Sequence, residues 1–402
     1  MKVIVTGGDG FCGWPTSLHL SNAGHEVLII DNLSRRSISQ TLRYESLTEL
    51  HSIRRRIEKW HELTGKRIQF RKIDIAYEFE SLAQTVAAFD PDSIVHLAAQ
   101  RSAPYSMMSV ESGNYTLSNN ILSANNVLRA IEQHNRDIKL VHLGSIGVYG
   151  YEDRAFEIPE GKSEYTAVDS NNESYTVQGQ IPFNPTSLYH LSKSQITGLL
   201  NYYTQCFGLN ITDLYQGIVW GTQTAETNSC KELSNRFDYD EIYGTVLNRF
   251  VVQAQLGLPI SVYGKGQQTR AFIHIQDTVK CIETAVNNGA SQKNEVEVIH
   301  QISETRTVKS VADHVSRLLN GTINHIVNPR EELEEHRYRL ASKKFKELGM
   351  DNLSTLADDL LDEIQSVASK NLHRIDTTCI APKVNWGKVA RSSTRKTMAN
   401  VA

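Results

Sequence analysis

Three residues near the middle of the chain are of types that can remove a proton from an alcohol. Tyr189 and Lys193 stand four positions apart in SLYHLSK, so both face one side of a predicted helix. A free phenol has a pKa near ~10, and its use as a general base at neutral pH requires about 4 kcal/mol of preferential phenolate stabilisation. The Lys193 ammonium supplies part of it. Ser145, in HLGSIGVYG at a predicted strand end, can share a hydrogen bond with Tyr189 and a substrate oxygen, which completes a predicted catalytic trio.

A glycine-rich loop precedes this trio. Gly7, Gly10 and Gly13 lie in TGGDGFCG, between the first predicted strand and a predicted helix. Glycines at this spacing allow a tight turn and the close approach of a pyrophosphate, and the helix N terminus offers free N–H groups. Phe11 and Cys12 lie in the same loop, and packing is the simpler interpretation of Cys12. The loop predicts a dinucleotide-binding site.

A carboxylate at the end of the second predicted strand indicates which dinucleotide binds. Asp31 lies 18 residues after Gly13, where it can accept hydrogen bonds from the ribose hydroxyls of NAD. Arg35 and Arg36 offer the alternative of a 2′-phosphate, but a carboxylate beside a phosphate is repulsive. We therefore predict NAD. Further candidates for the cofactor site follow Asp31 or end the third predicted strand: Asn32, Leu33, Ser34, Arg35, Asp74 and Ile75.

Alternating strands and helices position these groups. The segments KVIVT, EVLIID, RIQFRKIDI, SIVHLAA, KLVHLGS and ITDLYQG read as short apolar strands separated by helices. This pattern predicts an α/β fold with a doubly wound parallel sheet of the Rossmann type. The long connection over residues 32–66 predicts a helical hairpin. We expect an NAD-binding domain over residues 1–225, with residues 151–186 partly in a smaller mixed substrate-binding lobe. Residues 226–402 are predicted to form that lobe and a C-terminal tail.

Charge and composition argue against several classes of protein. The formal net charge of −3 provides no field that attracts nucleic acid or anionic lipid. The five cysteines form no C-x-x-C pair, which predicts free thiols, a reducing compartment and no metal site. The sequence shows neither a long apolar run nor a signal peptide ahead of its first strand, so no membrane association is expected. We expect a cytoplasmic protein; a plastid location through a removed transit peptide stays open.

The trio and its order resemble those of the short-chain dehydrogenase/reductases. Roughly the first 220 residues resemble the extended branch of that superfamily, the NAD-dependent epimerases and dehydratases of nucleotide sugars. Within that branch, the chain is similar to the UDP-sulfoquinovose synthase family over nearly its whole length, from residue 2 to about residue 386. The segments that carry this similarity are GGDGFCGW, DNLSRR, ESLTELHSIRRRIEKWHELTGK, QRSAPYSM, SLYHLSK, LNRF, VYGKGQQTR and NPREELEEH.

The resemblance implies an enzyme that makes UDP-sulfoquinovose, a precursor of sulfolipid, from UDP-glucose and sulfite. Tyr189 would take the proton of the sugar 4-hydroxyl as hydride leaves C4 for NAD. Loss of water across C5 and C6 then gives a 4-keto-5,6-ene, and sulfite adds at C6 to form a C–S bond. Sugar 4,6-dehydratases carry an Asp–Glu pair where this chain has Ile146 and Gly147. His190, about 100° round the helix from Tyr189, is therefore the candidate proton carrier.

The resemblance also implies residues that contact the substrate. Arg101, in QRSAPYSM just past a predicted strand end, is a candidate cation for sulfite or for an enolate. Asn119 and Val219 match cofactor-side positions. Extended members of the superfamily are commonly homodimers through a helix pair, and we expect the same here. The substrate-side positions of the family match Ser145, Gln216, Asn248, Arg249, Tyr263, Arg270, Arg330 and His336.

Three departures from the family pattern bear on the chemistry. Ser145 stands where the family usually has threonine, which keeps the hydroxyl. Val148 and Ala99 stand where the family usually has glutamate, so two acids near the site are lost. A related nucleotide-sugar 4-epimerase or 5,6-dehydratase that does not use sulfite is therefore a second hypothesis. A non-enzymatic NAD-sensing scaffold is a third, and the intact trio counts against it.

Overall fold

The computed structural model of the protein describes residues 1–154, 156–290, 294–330 and 332–386. In chain order its strands are β1 (Lys2–Thr6), β2 (Glu26–Asp31), β3 (Ile68–Lys72), β4 (Ser93–His96), β5 (Lys139–Leu143), β6 (Lys162–Val168), β7 (Ser174–Gln180), β8 (Ile211–Gln216), β9 (Ile218–Trp220), β10 (Ile260–Tyr263), β11 (Gln267–His274), β12 (Glu297–Gln301), β13 (Glu304–Thr307), β14 (Ile323–Ile326) and β15 (Glu335–His336). Its α-helices are α1 (Gly13–Asn22), α2 (Ser34–Leu42), α3 (Ile53–Thr64), α4 (Phe79–Phe89), α5 (Ala103–Ser106), α6 (Val110–His134), α7 (Leu188–Phe207), α8 (Val246–Gln255), α9 (Ile275–Asn288), α10 (Val308–Leu319), α11 (Lys344–Glu347) and α12 (Asp358–Lys370). Short 3-10 helices span Ile146–Tyr149, Lys231–Leu233, Leu372–Arg374 and Thr377–Cys379.

A seven-stranded parallel sheet has the order β3-β2-β1-β4-β5-β8-β12. The chain winds outward from β1 in one direction and then from β4 in the other, which confirms the predicted doubly wound fold. In such sheets, ligands bind at the carboxyl ends of the strands, beside the point where the winding direction reverses. The glycine loop follows β1 and therefore lies at that point.

The central strands are largely apolar because helices cover both faces of the sheet. Along β1, Val3 and Val5 pack with α1, α3 and α9, whereas Ile4 packs with α4, α6 and α7 on the opposite face. On β2, Val27 and Leu28 divide between the two cores in the same way. Alternate residues therefore serve different cores, and the strands appear in the sequence as continuous hydrophobic runs.

A smaller lobe of mixed structure lies beside the carboxyl ends of the strands. It contains the paired strands β10 and β14, the strand group β9, β11, β13 and β15, and helices α8, α10 and α12 round a second core. However, α9 and β12 come from the segment after residue 225 and belong to the large sheet and its cover. The lobe is therefore not one continuous stretch of chain, and the division at residue 225 remains a prediction.

The long connection after β2 forms two helices, as expected, but its helical part is shorter than the pattern suggested. Residues 43–52 are irregular, because Leu47 is buried in the lobe core and its N–H donates to the carbonyl of Phe237 at 2.9 Å. Helix α3 begins only after Ser52, whose hydroxyl accepts from the N–H of Arg55 at 3.3 Å. The ESLTELH part of the predicted hairpin is therefore not a helix, and tertiary packing explains the difference.

Two further expectations concern membranes and the tail. Within the described residues, every helix is too short or too polar to cross a membrane. Most of the predicted loose tail after Pro382, residues 387–402, lies outside the described residues. Its first residues are attached to the lobe, because the N–H of Trp386 donates to the carbonyl of Pro329 at 2.9 Å.

A histidine on α1 links the sheet to two neighbouring segments. The ring nitrogens of His19 lie 2.9 Å from Glu226 and 2.9 Å from Glu283. Burial lowers the pKa of His19, but hydrogen bonds and charges from the two glutamates outweigh it and raise the pKa above its ordinary value. This stabilisation is complete below the ordinary pKa of histidine and is lost as pH rises through the raised pKa.

We expect His19→Gln to lower stability by about 1 kcal/mol near pH 6, or about 1 °C in Tm. The difference should be smaller at about pH 9, because His19 loses its proton as pH rises through its raised pKa. Thermal unfolding of both proteins at the two pH values measures it. A loss of the same size at both pH values would contradict a role for the protonated ring.

Candidate active site

Two adjoining cavities lie at the carboxyl ends of the sheet strands. The loop cavity is bounded by the glycine loop and by Asp31, and the lobe cavity is bounded by Ser145, His190 and the arginines of the smaller lobe. Tyr189 lines both cavities. A group bound in one cavity can therefore react with a group bound in the other, with the phenol between them.

The glycine loop is closely packed against its own strand. Gly7 has a φ of +74°, and a Cβ there would lie 2.7 Å from the N of Ala98 on the neighbouring strand connection. A Cβ on Gly13 would collide with the Gly7 carbonyl, whereas Gly10 meets only that same oxygen at 3.0 Å. The turn therefore requires small residues at both ends and leaves its middle open toward the loop cavity.

Asp31 is held by backbone N–H groups at the edge of the loop cavity. Its carboxylate accepts from Asp9 N at 2.9 Å and from Leu33 N at 2.6 Å. Leu33 adopts a left-handed conformation with a φ of +62°, which makes this turn. Burial, and then the charge of Asp9, raise the pKa of Asp31 to about 6. Hydrogen bonds donated by ribose hydroxyls would favour the ionised carboxylate and so oppose this rise in its pKa.

The two arginines that could have bound a 2′-phosphate are paired with carboxylates. Arg36 donates to Asp9 at 2.6 and 2.8 Å, and the buried Arg56 of α3 adds a third hydrogen bond at 3.1 Å. Arg35 donates to Asp238 at 3.0 Å, with its guanidinium carbon 3.5 Å from the ring centre of Tyr243. Both arginines are therefore engaged by carboxylates. The Asp31 carboxylate remains at the ribose side of the loop cavity, as the binding of NAD requires.

The predicted trio converges between the cavities. Helix α7 begins after Ser187 and presents Tyr189 and Lys193 one turn apart on its sheet side. Ser145 and Tyr189 both line the lobe cavity. Burial raises the pKa of Tyr189 to about 12, and the Ser145 hydroxyl and the Arg101 charge oppose the rise. Burial lowers the pKa of Lys193 to about 8. A positively charged nicotinamide next to the phenol would bring its pKa closer to the working range.

His190 is fixed at one nitrogen and faces the lobe cavity. Its Nδ1 lies 3.1 Å from the hydroxyl of Ser187, which also accepts from its backbone N–H at 3.2 Å. The ring occupies the space that a side chain on Gly147 would need. Burial, followed by the charges of Arg330 and Arg270, lowers the pKa of His190 to about 3. The ring is therefore neutral and can accept a proton.

Three arginines form the lobe side of the cavity. Arg249 donates to the hydroxyl of Tyr263 at 2.5 Å, and Arg330 lies over the same ring with its guanidinium carbon 5.6 Å from the centre. Arg270 is paired with the buried Glu332, whose pKa its charge lowers against the opposing effect of burial. Among the described residues, Arg249 and Arg330 form no ion pair. The cluster therefore has excess positive charge, as a diphosphate site requires.

Arg101 is positioned by a carboxylate that the sequence did not suggest. Asp238 accepts from Arg101 at 2.6 Å and also lies 3.6 Å from Arg236. Burial would raise the pKa of Asp238, but its arginines, Arg35 first, lower it to about 2. Since several guanidinium groups surround one carboxylate, the junction of the cavities has a net positive charge.

The structure brings most of the predicted residues together. The loop cavity is lined by Gly7, Gly10, Phe11, Cys12, Gly13, Asp31, Asn32, Ser34, Arg35, Asp74, Ile75, Asn119, Tyr189 and Lys193. The lobe cavity is lined by Phe11, Cys12, Arg101, Ser145, Tyr189, His190, Gln216, Val219, Arg249, Tyr263, Arg270 and Arg330. Val219, predicted on the cofactor side, thus lies on the lobe side.

Three predicted residues line neither cavity. Leu33 contributes its backbone to the Asp31 turn, and Asn248 donates to the carbonyl of Asp238 at 3.1 Å. His336 is fully buried behind Arg270, with its Nε2 3.2 Å from the guanidinium. Their roles in binding remain predictions. The residues that sequence reasoning missed are Asp9, Tyr151, Asp238, Tyr243 and Glu332.

Val148 and Ala99, the two positions where the family usually has glutamate, do not line the lobe cavity. Val148 is buried in a hydrophobic cluster with Ile158 and Ile181 and lines neither cavity. Ala99 lines the loop cavity only. Neither departure removes a group that faces the lobe cavity between Ser145 and His190.

The sequence and fold of this chain match a known family. Residues 3–299 match the sequence model of the NAD dependent epimerase/dehydratase family, and the chain belongs to that family. UDP-sulfoquinovose synthase, chloroplastic, from Spinacia oleracea is 42% identical over 393 residues, which are 96% of this chain and 80% of the spinach protein. UDP-sulfoquinovose synthase from Sulfolobus acidocaldarius is 36% identical over 96% of this chain and 98% of that protein. Within the larger family, the chain is thus a member of the UDP-sulfoquinovose synthase family, as predicted, and NAD is confirmed as its cofactor.

Solved structures agree with the fold. UDP-glucose 4-epimerase from Thermotoga maritima, determined with UDP-glucose, has a TM-score of 0.65 and 20% identity, and the match covers 92% of this chain and all of that chain (100%). dTDP-glucose 4,6-dehydratase from Bacillus anthracis, determined with NAD, has a TM-score of 0.64 and 17% identity, with 93% and 98% covered. At these identities the likeness supports the architecture alone.

Proposed function

We propose that the protein converts UDP-glucose and sulfite into UDP-sulfoquinovose. One observation carries the proposal: the phenol of Tyr189 and the imidazole of His190 both face the lobe cavity, from adjacent positions of one helix. A sugar ring bound in this cavity would therefore contact two bases: Tyr189 for its hydroxyl proton and His190 for a proton on carbon. NAD, when bound, accepts a hydride from the sugar and later returns it.

Arg249, Arg270 and Arg330 would bind the diphosphate of the nucleotide sugar. Guanidinium groups recognise phosphate oxygens through paired hydrogen bonds. Because Arg270 already pairs with Glu332, it is pre-oriented before the ligand arrives. The sugar would then extend toward Ser145 and Tyr189.

Tyr189 would remove the 4-hydroxyl proton, with Ser145 sharing the hydrogen bond and Lys193 supplying positive charge. The resulting 4-ketone acidifies the C5 hydrogen, which His190 would take. His190 would then give this proton to the departing 6-hydroxyl, and water leaves. Since its neutral ring has one nitrogen fixed by Ser187, the other can both accept and return a proton.

Arg101 would attract sulfite to C6 of the unsaturated intermediate. Its guanidinium lines both cavities and has a side-chain exposure of 34%, so its charge is accessible to a small anion. The sulfur lone pair of bisulfite forms the C6–S bond, and the electrons of the alkene move to C5 as an enolate. The proton lost by bisulfite would reach C5 through His190, which restores the 4-ketone that takes back the hydride. Asp238 holds Arg101 in place for this step.

Incubation with UDP-glucose, NAD and sulfite, followed by mass spectrometry, tests the proposal. A sulfonated UDP-sugar is the expected product. Formation of an unsulfonated sugar instead would contradict it and favour the second hypothesis. In that case, deuterium at C5 without sulfite would identify a 5,6-dehydratase, and inversion at C4 without C5 exchange would identify a 4-epimerase.

We expect Arg101→Gln to raise the KM for sulfite by about 10- to 100-fold, the loss expected for one hydrogen bond to a charged group. The rate of C5 hydrogen exchange without sulfite should fall much less, because Arg101 is only one of the groups that lower the pKa of Tyr189. Steady-state kinetics and deuterium incorporation measure the two effects. Arg54→Gln, which alters an exposed arginine on α3, is the matched control. Equal loss of both activities in Arg101→Gln would contradict a specific role with sulfite.

We also propose a homodimer through α6 and α7. These helices pack together on one face of the sheet and leave apolar side chains exposed, with Leu122 at 39% and Tyr202 at 53%. Gly198, one turn before Tyr202, has open space above it that a second helix could occupy. Sedimentation analysis tests this, and a monomer would contradict it.

The cytoplasm remains the predicted location, with a plastid as the alternative, and cell fractionation distinguishes them.

A further inference from the structure

Two buried polar residues of the sheet, His142 and Asp213, form a pair next to the catalytic lysine, Lys193. His142 on β5 and Asp213 on β8 are direct partners in the register of these two central strands. Their side chains meet at 2.8 Å between His142 Nδ1 and Asp213 Oδ1, with 1% and 0% of the side chains exposed. On the other side of the ring, the Nζ of Lys193 lies 3.4 Å from His142 Nε2.

We propose that His142 and Asp213 are positioning residues, which orient the ammonium group of Lys193 and keep it charged during the reaction. The inference deepens the proposed function, on which it rests for the role of Lys193. The Asp213 carboxylate contacts the His142 imidazole, and the imidazole contacts the Lys193 ammonium.

The direction of each hydrogen bond follows from the chemistry of the groups. An ammonium group can only donate, so His142 Nε2 must accept from Lys193. The ring proton is therefore on Nδ1 and is donated to Asp213. Burial lowers the pKa of His142 despite the opposing effect of Asp213, in agreement with a neutral ring. The negative charge of Asp213 is thus connected to Lys193 through one neutral imidazole.

The same contacts orient the ammonium. Lys193 also donates to the carbonyl of Leu143 at 2.6 Å, so two of its three N–H bonds are directed to the protein. The third is left for the loop cavity, which Lys193 lines beside Tyr189. Without His142, the ammonium could rotate and its charge would be less well directed.

A purely structural role accounts poorly for the pair. Val141, Leu143 and Leu214, which are next to the pair on these strands, are apolar, and a buried ion pair is often no more stable than apolar residues of similar size. One carboxylate oxygen of Asp213, Oδ2, is buried without a hydrogen-bond partner, which adds a cost of desolvation. The presence of the Asp213 carboxylate, despite its cost in stability, is more simply explained by the effect of its negative charge on Lys193.

Three other titratable groups, His96, Tyr149 and Tyr215, lie near the pair. His96 on β4 stacks on His142 with ring centres 5.7 Å apart and bonds to the Thr6 hydroxyl at 2.8 Å. Burial, then the charges of His142 and Lys193, lower the pKa of His96 well below its ordinary value. Tyr149 and Tyr215 also feel the charge of Asp213, and burial raises the pKa of both. Near neutral pH these groups are uncharged, which leaves Asp213 as the anion of this cluster.

The test uses the full chain and two variants, Asp213→Asn and His142→Gln. The pH dependence of Lys193 labelling by acetic anhydride, followed by peptide mass spectrometry on the protein with its bound dinucleotide and no added sugar, reports the pKa of the lysine. We expect the labelling curve to move to lower pH by about one unit in Asp213→Asn. The alkaline limb of the kcat–pH profile should move in the same direction, and kcat should fall by about 10- to 100-fold.

Thr212→Val is the matched control, because Thr212 is buried on the same strand but points to the opposite face. It should leave both curves unchanged. Correctly folded Asp213→Asn and His142→Gln proteins with unshifted curves would overturn the proposal. If neither variant folds, the pair serves folding and the proposal is wrong. The labelling curve does not depend on the sugar or on sulfite, so it distinguishes failure of this inference from failure of the proposed function.

Discussion

Replacing Tyr189 with phenylalanine should lower kcat by about 100- to 10,000-fold, the usual contribution of a general base. The aromatic ring remains, but the oxygen that takes the sugar proton is lost. Burial raises the pKa of this phenol to about 12, and Ser145 and Arg101 oppose the rise. Steady-state turnover of UDP-glucose with sulfite measures the loss.

Tyr203→Phe is the control for this experiment. Tyr203 lies on the same helix, and its hydroxyl bonds to Asn125 at 3.0 Å, away from both cavities. Its removal should leave kcat unchanged. Cofactor content, measured after denaturation, should be the same in both variants. A Tyr189→Phe protein that retains most of its turnover would rule out the phenol as the base.

Replacing His190 with glutamine should abolish exchange of the sugar C5 hydrogen with deuterium while oxidation at C4 continues. Turnover to the sulfonated product should fall by about 100- to 10,000-fold. Glutamine can accept a hydrogen bond but cannot carry a proton at neutral pH. Mass spectrometry of the recovered UDP-sugar and the absorbance of reduced nicotinamide separate the two steps. Loss of both steps together would indicate that His190 only positions the sugar.

The pKa of His190 provides a further check on this assignment. Burial and the charges of Arg330 and Arg270 hold the pKa at about 3 without ligand. A diphosphate between the arginines would cancel part of their charge, so UDP should raise the pKa of His190 toward the range of a useful base. Nuclear magnetic resonance titration of the ring with and without UDP tests the direction. An unchanged or lower pKa would contradict the proposed diphosphate position.

The sequence predicted those parts of the site that depend on local spacing. The glycine loop, Asp31 and the pair Tyr189–Lys193 each lie within one turn, strand end or helix, so their geometry follows from secondary structure. Six of the seven strands of the sheet were also recognised as short, largely apolar runs. The seventh, β12, was missed, because it comes from the segment after residue 225 that was assigned to the lobe. Segment ESLTELH was misassigned, because Leu47 packs into the lobe rather than continuing a helix.

The missed residues act across long sequence distances. Asp238 is 137 positions from Arg101 and 203 from Arg35, so no local pattern connects them. A signal existed in RFDYDEIYG, where acids alternate with aromatic residues that favour burial. His142 and Asp213 gave a similar signal, as polar residues inside the apolar strands KLVHLGS and ITDLYQG. A polar residue at such a position requires a partner, but the sequence does not identify it.

The attachment of the glycine loop to α3 has a consequence for cofactor exchange. Asp9 in the loop is bound by Arg36 and by Arg56, and the guanidinium carbon of Arg56 lies 3.9 Å from the ring centre of Trp14. Opening the loop would therefore expose two charges and separate them from their partner. An enzyme that regenerates its dinucleotide in every cycle gains nothing from releasing it. The purified protein should accordingly retain its nucleotide through dialysis and be slow to take up a labelled replacement.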